Sequence, residues 1–86
     1  MHYTYVLRSH RDGQLYTGST NNLKLRLEQH AKGRVESTKN RRPLTLIYYE
    51  ACLVEKDARR REKSLKTYRG KVTLRRRLQS YFTGEI

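Results

Sequence analysis

Tyr3, Tyr5 and Leu7 alternate with Thr4, Val6 and Arg8, and this pattern constrains the fold more than any other stretch of the chain. A period of two sends successive side chains to opposite faces, so it predicts a strand with one face buried. Arg11-Asp12-Gly13 follows as a turn signal, because Asp-Gly accepts the positive φ angles of a tight hairpin. Gln14 to Gly18 then returns as a second strand. Gly18 ends it at a point where bare backbone lets a phosphate or a packed helix come close.

The order of elements reads on from that hairpin. Ser19-Thr20-Asn21-Asn22 offers N-cap side chains for a helix from about Leu23, with Leu23 and Leu27 on one face and Gly33 as its stop. Residues 34–43 form a polar, basic loop containing Pro43. Leu44 to Leu53, with Ile47, Tyr48 and Tyr49, has the β-branched and aromatic content of a central strand. A second helix covers Val54 to about Tyr68, and Gly70 separates it from a third. In the third, Leu74, Leu78, Tyr81 and Phe82 form one apolar stripe at i, i+4, i+7 and i+8. The expected fold is α/β of the α+β kind, a small three-stranded, mainly antiparallel sheet with three helices, in the order β-β-α-β-α-α. No repeat or low-complexity linker interrupts it, so residues 1–86 read as one domain.

Charge narrows the function. Twenty Lys and Arg against eight Asp and Glu give a net charge of +12. Such an excess favours polyanionic partners, nucleic acid first and an anionic membrane surface second. No apolar run approaches the roughly 20 residues that span a bilayer, and the N-terminus reads as a strand instead of a signal peptide. One cysteine, Cys52, leaves no internal disulfide and fits a reducing cytoplasm. Three scattered histidines and that cysteine lack the paired spacing of a structural zinc site.

Helical spacing groups the polar residues. Arg26 and His30 lie four apart, one turn from each other on the same face. Val54, Ala58, Glu62 and Leu65 fall at i, i+4, i+8 and i+11, which puts the Glu62 carboxylate on an inward stripe. Arg59, Arg60, Arg61 and Lys63 then face solvent or a polyanion. A carboxylate facing inward is costly unless it is paired or holds a metal. Lys66, one turn beyond Glu62, reads as a phosphate contact or exposed face.

These residues resemble the GIY-YIG nuclease domain found in intron-homing endonucleases, in the UvrC excision-repair nuclease and in short stand-alone proteins. Tyr3-Thr4-Tyr5 stands at the first motif and Tyr16-Thr17-Gly18 at the second, with Arg26, His30 and Glu62 following in order. The spacings suit the homing-endonuclease branch, and the resemblance runs from Tyr3 to about Phe82. Tyr3 replaces the first motif's glycine, Thr4 its isoleucine, and Thr17 the isoleucine of the second. Ser19 stands where the UvrC branch carries a lysine. No asparagine follows Asn40, although many active members carry one near the C-terminal end of the domain.

The resemblance implies phosphodiester hydrolysis with one Mg2+ or Mn2+ ion. Glu62 would be the metal ligand, since magnesium takes few carboxylates and completes its shell with water and phosphate oxygens. Arg26 would neutralise charge on the phosphate in the transition state. Tyr5 would activate water and Tyr16 would orient water or phosphate. A free tyrosine titrates near about 10, so a base role needs cationic neighbours. His30 would assist proton transfer or hold a tyrosine hydroxyl. The expected function is a metal-dependent endonuclease, acting on DNA more than RNA by nicking or structure-selective cutting in repair or recombination. A protein partner would supply specificity. The alternative is a basic nucleic-acid-binding module with little or no catalysis.

Overall fold

The computed structural model describes residues 1–84. Three strands, β1 (His2–Ser9), β2 (Leu15–Thr20) and β3 (Leu44–Cys52), form one antiparallel sheet in the order β2-β1-β3. Helix α1 (Leu23–Ala31) follows β2, and a 3-10 turn (Lys39–Arg41) lies within the basic loop. After β3 come α2 (Glu55–Leu65), α3 (Tyr68–Arg77) and α4 (Gln79–Thr83). The α+β class and the antiparallel sheet match the sequence reading, and a fourth short helix is added.

The central strand is β1 and not β3. Thr4, Tyr5, Val6 and Leu7 are all buried, so neither face of β1 is open to solvent. Helix α2 covers one face, where the Thr4 hydroxyl donates to the Ala58 carbonyl at 2.9 Å and Val6 packs with Leu65 and Leu74. Tyr5 meets α1 on the other face. β3 pairs with β1 alone and leaves Tyr49 and Ala51 exposed. β-Branched and aromatic content reports a strand that fits a half-buried surface, and says nothing of its rank in the sheet.

The hairpin is wider than a two-residue turn. Ser9 N–H donates to the Gln14 carbonyl at 2.9 Å, and Gly13 N–H to the Ser9 carbonyl at 2.8 Å. Gly13 takes φ +73°, a left-handed conformation open to glycine at no steric cost. The Asp12 carboxylate accepts from Gln14 N–H and stiffens the loop.

Capping sets the helix bounds. Asn22 accepts from the N–H of Leu25 and starts α1, while Gly33 at φ +74° follows its end. α2 is shorter than expected: Val54 is its exposed N-cap, outside the apolar stripe, and the helix stops at Leu65. Thr67 caps α3 by accepting from Gly70 N–H, so Gly70 lies inside the first turn of α3 and does not separate two helices. The backbone turns at Leu78 (φ −103°, ψ 29°), which divides the Leu74–Phe82 stripe between α3 and α4. α4 is held by the Arg8 and Arg75 guanidinium groups, 5.5 and 4.6 Å from the centre of the Phe82 ring.

Candidate active site

The five residues singled out in the sequence come from four elements. Tyr5 lies on β1, Tyr16 on β2, Arg26 and His30 on α1, and Glu62 on α2. Antiparallel register places Tyr5 opposite Gly18 and Leu7 opposite Tyr16, so the two tyrosines project from the same face of adjacent strands. Their ring centres lie 6.4 Å apart, and the His30 ring packs against both, at 5.6 Å from Tyr5 and 5.3 Å from Tyr16.

A buried chain of hydrogen bonds runs through His30. The Tyr5 hydroxyl lies 2.8 Å from His30 Nε2, and His30 Nδ1 lies 2.8 Å from the Thr38 hydroxyl. All three residues are essentially inaccessible to solvent. Burial pushes the Tyr5 phenol up to about 12, although the Arg26 guanidinium beside it pulls the other way. Burial, helped by the Arg26 charge, lowers the imidazole of His30 to about 4. Both groups are therefore neutral near pH 7. The phenol has no second acceptor among the described residues, so it donates to Nε2 and Nδ1–H donates to Thr38.

Gly18 makes this arrangement possible. A Cβ at that position would lie 2.6 Å from the Tyr5 hydroxyl oxygen and 2.8 Å from its Cζ. Bare backbone is needed here to admit a tyrosine ring.

Glu62 is partly buried, its side chain 23% exposed. Ser19 donates to its Oε1 at 2.7 Å and Lys66 Nζ to its Oε2 at 2.8 Å. Burial alone would raise this carboxyl, but Lys66, Ser19 and Arg59 together outweigh it and hold it below the usual carboxylate range. Lys66 is thus the counter-ion of Glu62, and its side chain stays 53% exposed. Arg61 also departs from expectation, because it turns back to the sheet and pairs with Glu50 at 2.7 Å. Arg26 is half-buried and within range to influence Tyr5 and His30, and its Nη1 donates to Gln29 at 3.1 Å.

Three participants escaped the sequence reading. Thr38 sits in the basic loop, where no periodicity marks it. Ser19 reads in the sequence as a capping candidate, and Lys66 as a phosphate contact or exposed face. The i, i+4 spacing of Glu62 and Lys66 was the available signal for the last. Chemically, the cluster combines a cation, two phenols, a neutral imidazole and a polarised carboxylate at the edge of a polar groove containing Ser19, Arg26 and Arg59. Among the described residues no group of three His, Cys, Asp or Glu side chains could by itself encase a metal ion.

A model of the GIY-YIG catalytic domain matches residues 1–77. A UPF0213 protein of Staphylococcus haemolyticus is 40% identical over 68 residues, covering 78% of this chain and 82% of its own length. One from Staphylococcus aureus is 37% identical over 75 residues, covering 86% and 90%. The solution NMR structure of a UPF0213 protein from Bacillus halodurans aligns with a TM-score of 0.54 at 34% identity, over 85% of this chain and 80% of that one. With the matched motifs placed around one cluster and the similarity spanning most of its length, the chain belongs to the GIY-YIG catalytic-domain family.

Proposed function

We propose that this chain is a divalent-metal-dependent endonuclease that hydrolyses phosphodiester bonds, in DNA more than RNA, by nicking or structure-selective cutting of the kind repair and recombination need. The strongest support is that four elements supply Tyr5, Tyr16, Arg26, His30 and Glu62, with Arg26 and Tyr16 lining two neighbouring grooves, in a family typically made of nucleases.

The donor set fits a hard cation. A carboxylate has about four lone-pair sites, and Ser19 and Lys66 take one each, leaving room on Glu62 for an ion that otherwise prefers water and phosphate oxygens. Glu62 would hold it, and the bound ion would polarise the phosphoryl oxygen and stabilise the leaving oxygen. Arg26 supplies fixed positive charge to the phosphate as it gains charge. Tyr16 lines an open cleft with Lys66 and Lys71 and is the phenol placed to orient phosphate or water. Tyr5 is a neutral phenol in the free protein, so it cannot take a proton without passing one on. His30 Nε2, 2.8 Å away, is the acceptor. Water gives a proton to the Tyr5 oxygen as the phenolic proton moves to Nε2, and Thr38 keeps the ring oriented through Nδ1–H. Substrate must displace side chains around Tyr5 for water to reach it, since the free protein buries it completely.

A second reading is favoured by that burial and by the Lys66–Glu62 pair: a nucleic-acid-binding module whose catalytic groups stay covered without a partner. Conversion of supercoiled plasmid to nicked and linear forms separates the two. Wild type with Mg2+ or Mn2+ is expected to cut, and EDTA or Glu62→Ala to abolish cutting while plasmid binding persists. Cutting by purified Glu62→Ala sinks the assignment of Glu62. Binding without any cutting by wild type selects the second reading.

A further inference from the structure

Glu62 is hydrogen-bonded to one residue from each of two grooves. Ser19, which donates to one carboxylate oxygen, lines a groove of about 410 Å³ with Arg26 and Arg59. Lys66, which donates to the other oxygen, lines a cleft of about 330 Å³ with Tyr16 and Lys71. A strand with one phosphate at Glu62 therefore has cationic cleft on both sides of it.

Tyr68 stands in sequence between Lys66 and Lys71, the two cations of the second cleft. It is 85% exposed, the most exposed of the large apolar side chains among the described residues. Leaving such a ring in water forgoes the burial that aromatic side chains usually contribute. The ring is nevertheless presented from a fixed base. Thr67 caps the turn that carries it, and the Gly70 backbone packs so tightly that a Cβ there would lie 2.0 Å from the Ser64 carbonyl oxygen. The surrounding helix carries Arg69, Lys71, Arg75, Arg76 and Arg77 and no acidic residue, which fits a polyanion. Leu53, 80% exposed, lines neither cleft, and nor does Tyr68, but Tyr68 alone stands in sequence between the two cations of the second.

We propose that Tyr68 is a nucleobase-stacking residue that selects a nucleic-acid strand with an unpaired base beside the cleaved bond. The inference rests on the nuclease reading for the position of that bond and extends it to substrate class. An open aromatic face stacks on any base with a free face, whereas bases inside a duplex already have both faces occupied. Lys66 and Lys71 hold the flanking phosphates, and Tyr68 takes the base.

The chain contains no tryptophan, so Tyr68→Trp introduces a single fluorescent reporter at an exposed position. In EDTA, where no cutting intervenes, a single-stranded oligonucleotide is expected to quench its emission, and a blunt hairpin duplex of equal charge is not. Tyr68→Ala is expected to lose roughly five- to 150-fold in affinity for the single strand, the range seen when one stacking aromatic is removed. Its duplex affinity should stay within about twofold, because phosphate contacts carry non-specific duplex binding. Equal quenching by both nucleic acids, no quenching, or unchanged single-strand affinity of Tyr68→Ala overturns the proposal even if wild type cuts plasmid. Selective quenching in a protein that never cuts supports the stacking site and leaves the nuclease reading to fail by itself.

Discussion

Gly18 and Tyr5 face each other across β1 and β2 with no room for a methyl group. The Tyr5 ring is buried and tied to His30, so it cannot swing aside as an exposed side chain would. Gly18→Ala is therefore expected to cost about 1–3 kcal/mol, the usual range for overpacking, read as a lower urea midpoint. Cleavage should fall too, because the displaced hydroxyl loses Nε2. A variant as stable and active as wild type would show that the contact relaxes freely. His30 makes a second prediction. Its folded-state value of about 4 lies below the ordinary 6.5, so the unfolded chain binds the extra proton. Its contribution is complete above the unfolded value and is lost as pH falls from there towards 4. The loss should reach roughly 2 kcal/mol by pH 5. Glu62, also lowered, adds a loss in the same direction as pH falls into the carboxylate range. Urea midpoints at pH 7.5 and 5.0 test this, and His30→Gln should flatten the difference. The identities of these residues were legible in the sequence, but their environments were not. Nothing in the spacing showed that Thr38 would leave a basic loop to meet Nδ1, or that a tyrosine expected to activate water would be sealed beneath Gly18.

Period and capping chemistry revealed most elements, and what they missed depended on neighbours far along the chain. The β1–β2 hairpin and α1 were legible because alternation, Asp12-Gly13, Asn22 and Gly33 are local signals. The rank of β1 as central strand was not, since two-sided burial comes from α1 and α2, elements that the strand's own pattern does not contain. The α2–α3 junction shows the same limit. Gly70 was read as a break, yet it is a helical residue chosen for contact with the Ser64 carbonyl. Gly70→Ala, usually favourable inside a helix, should here cost about 3 kcal/mol or more, because backbone and not a flexible side chain occupies the space. Thr67→Ala removes the cap and should cost about 1 kcal/mol. Urea denaturation of the two variants distinguishes them, and a Gly70→Ala protein more stable than wild type would contradict the packing of α3 on α2.

Across the whole molecule, net charge and site geometry make different demands on binding. If all twenty Lys and Arg acted as an undirected cloud, the salt dependence would be extremely steep. If the substrate follows the two grooves, Arg26, Arg59, Lys66 and Lys71 are the phosphate contacts, four in number. Counterion release then gives a slope of log K against log salt of about −3.6 on duplex DNA and about −2.8 on a single strand. Between 50 and 200 mM salt the affinity should fall roughly 150-fold for duplex and roughly 50-fold for single strand. Replacing Lys71 by Met should reduce either slope by about the share of one phosphate, roughly 0.7–0.9, without changing the sequence preference. Replacing Tyr68 should leave the slope alone while lowering single-strand affinity, since it carries no charge. Anisotropy titrations across that salt range decide the matter. A slope beyond about −8 would mean that the protein binds through its general charge, and the clefts beside Glu62 would not be what positions the strand.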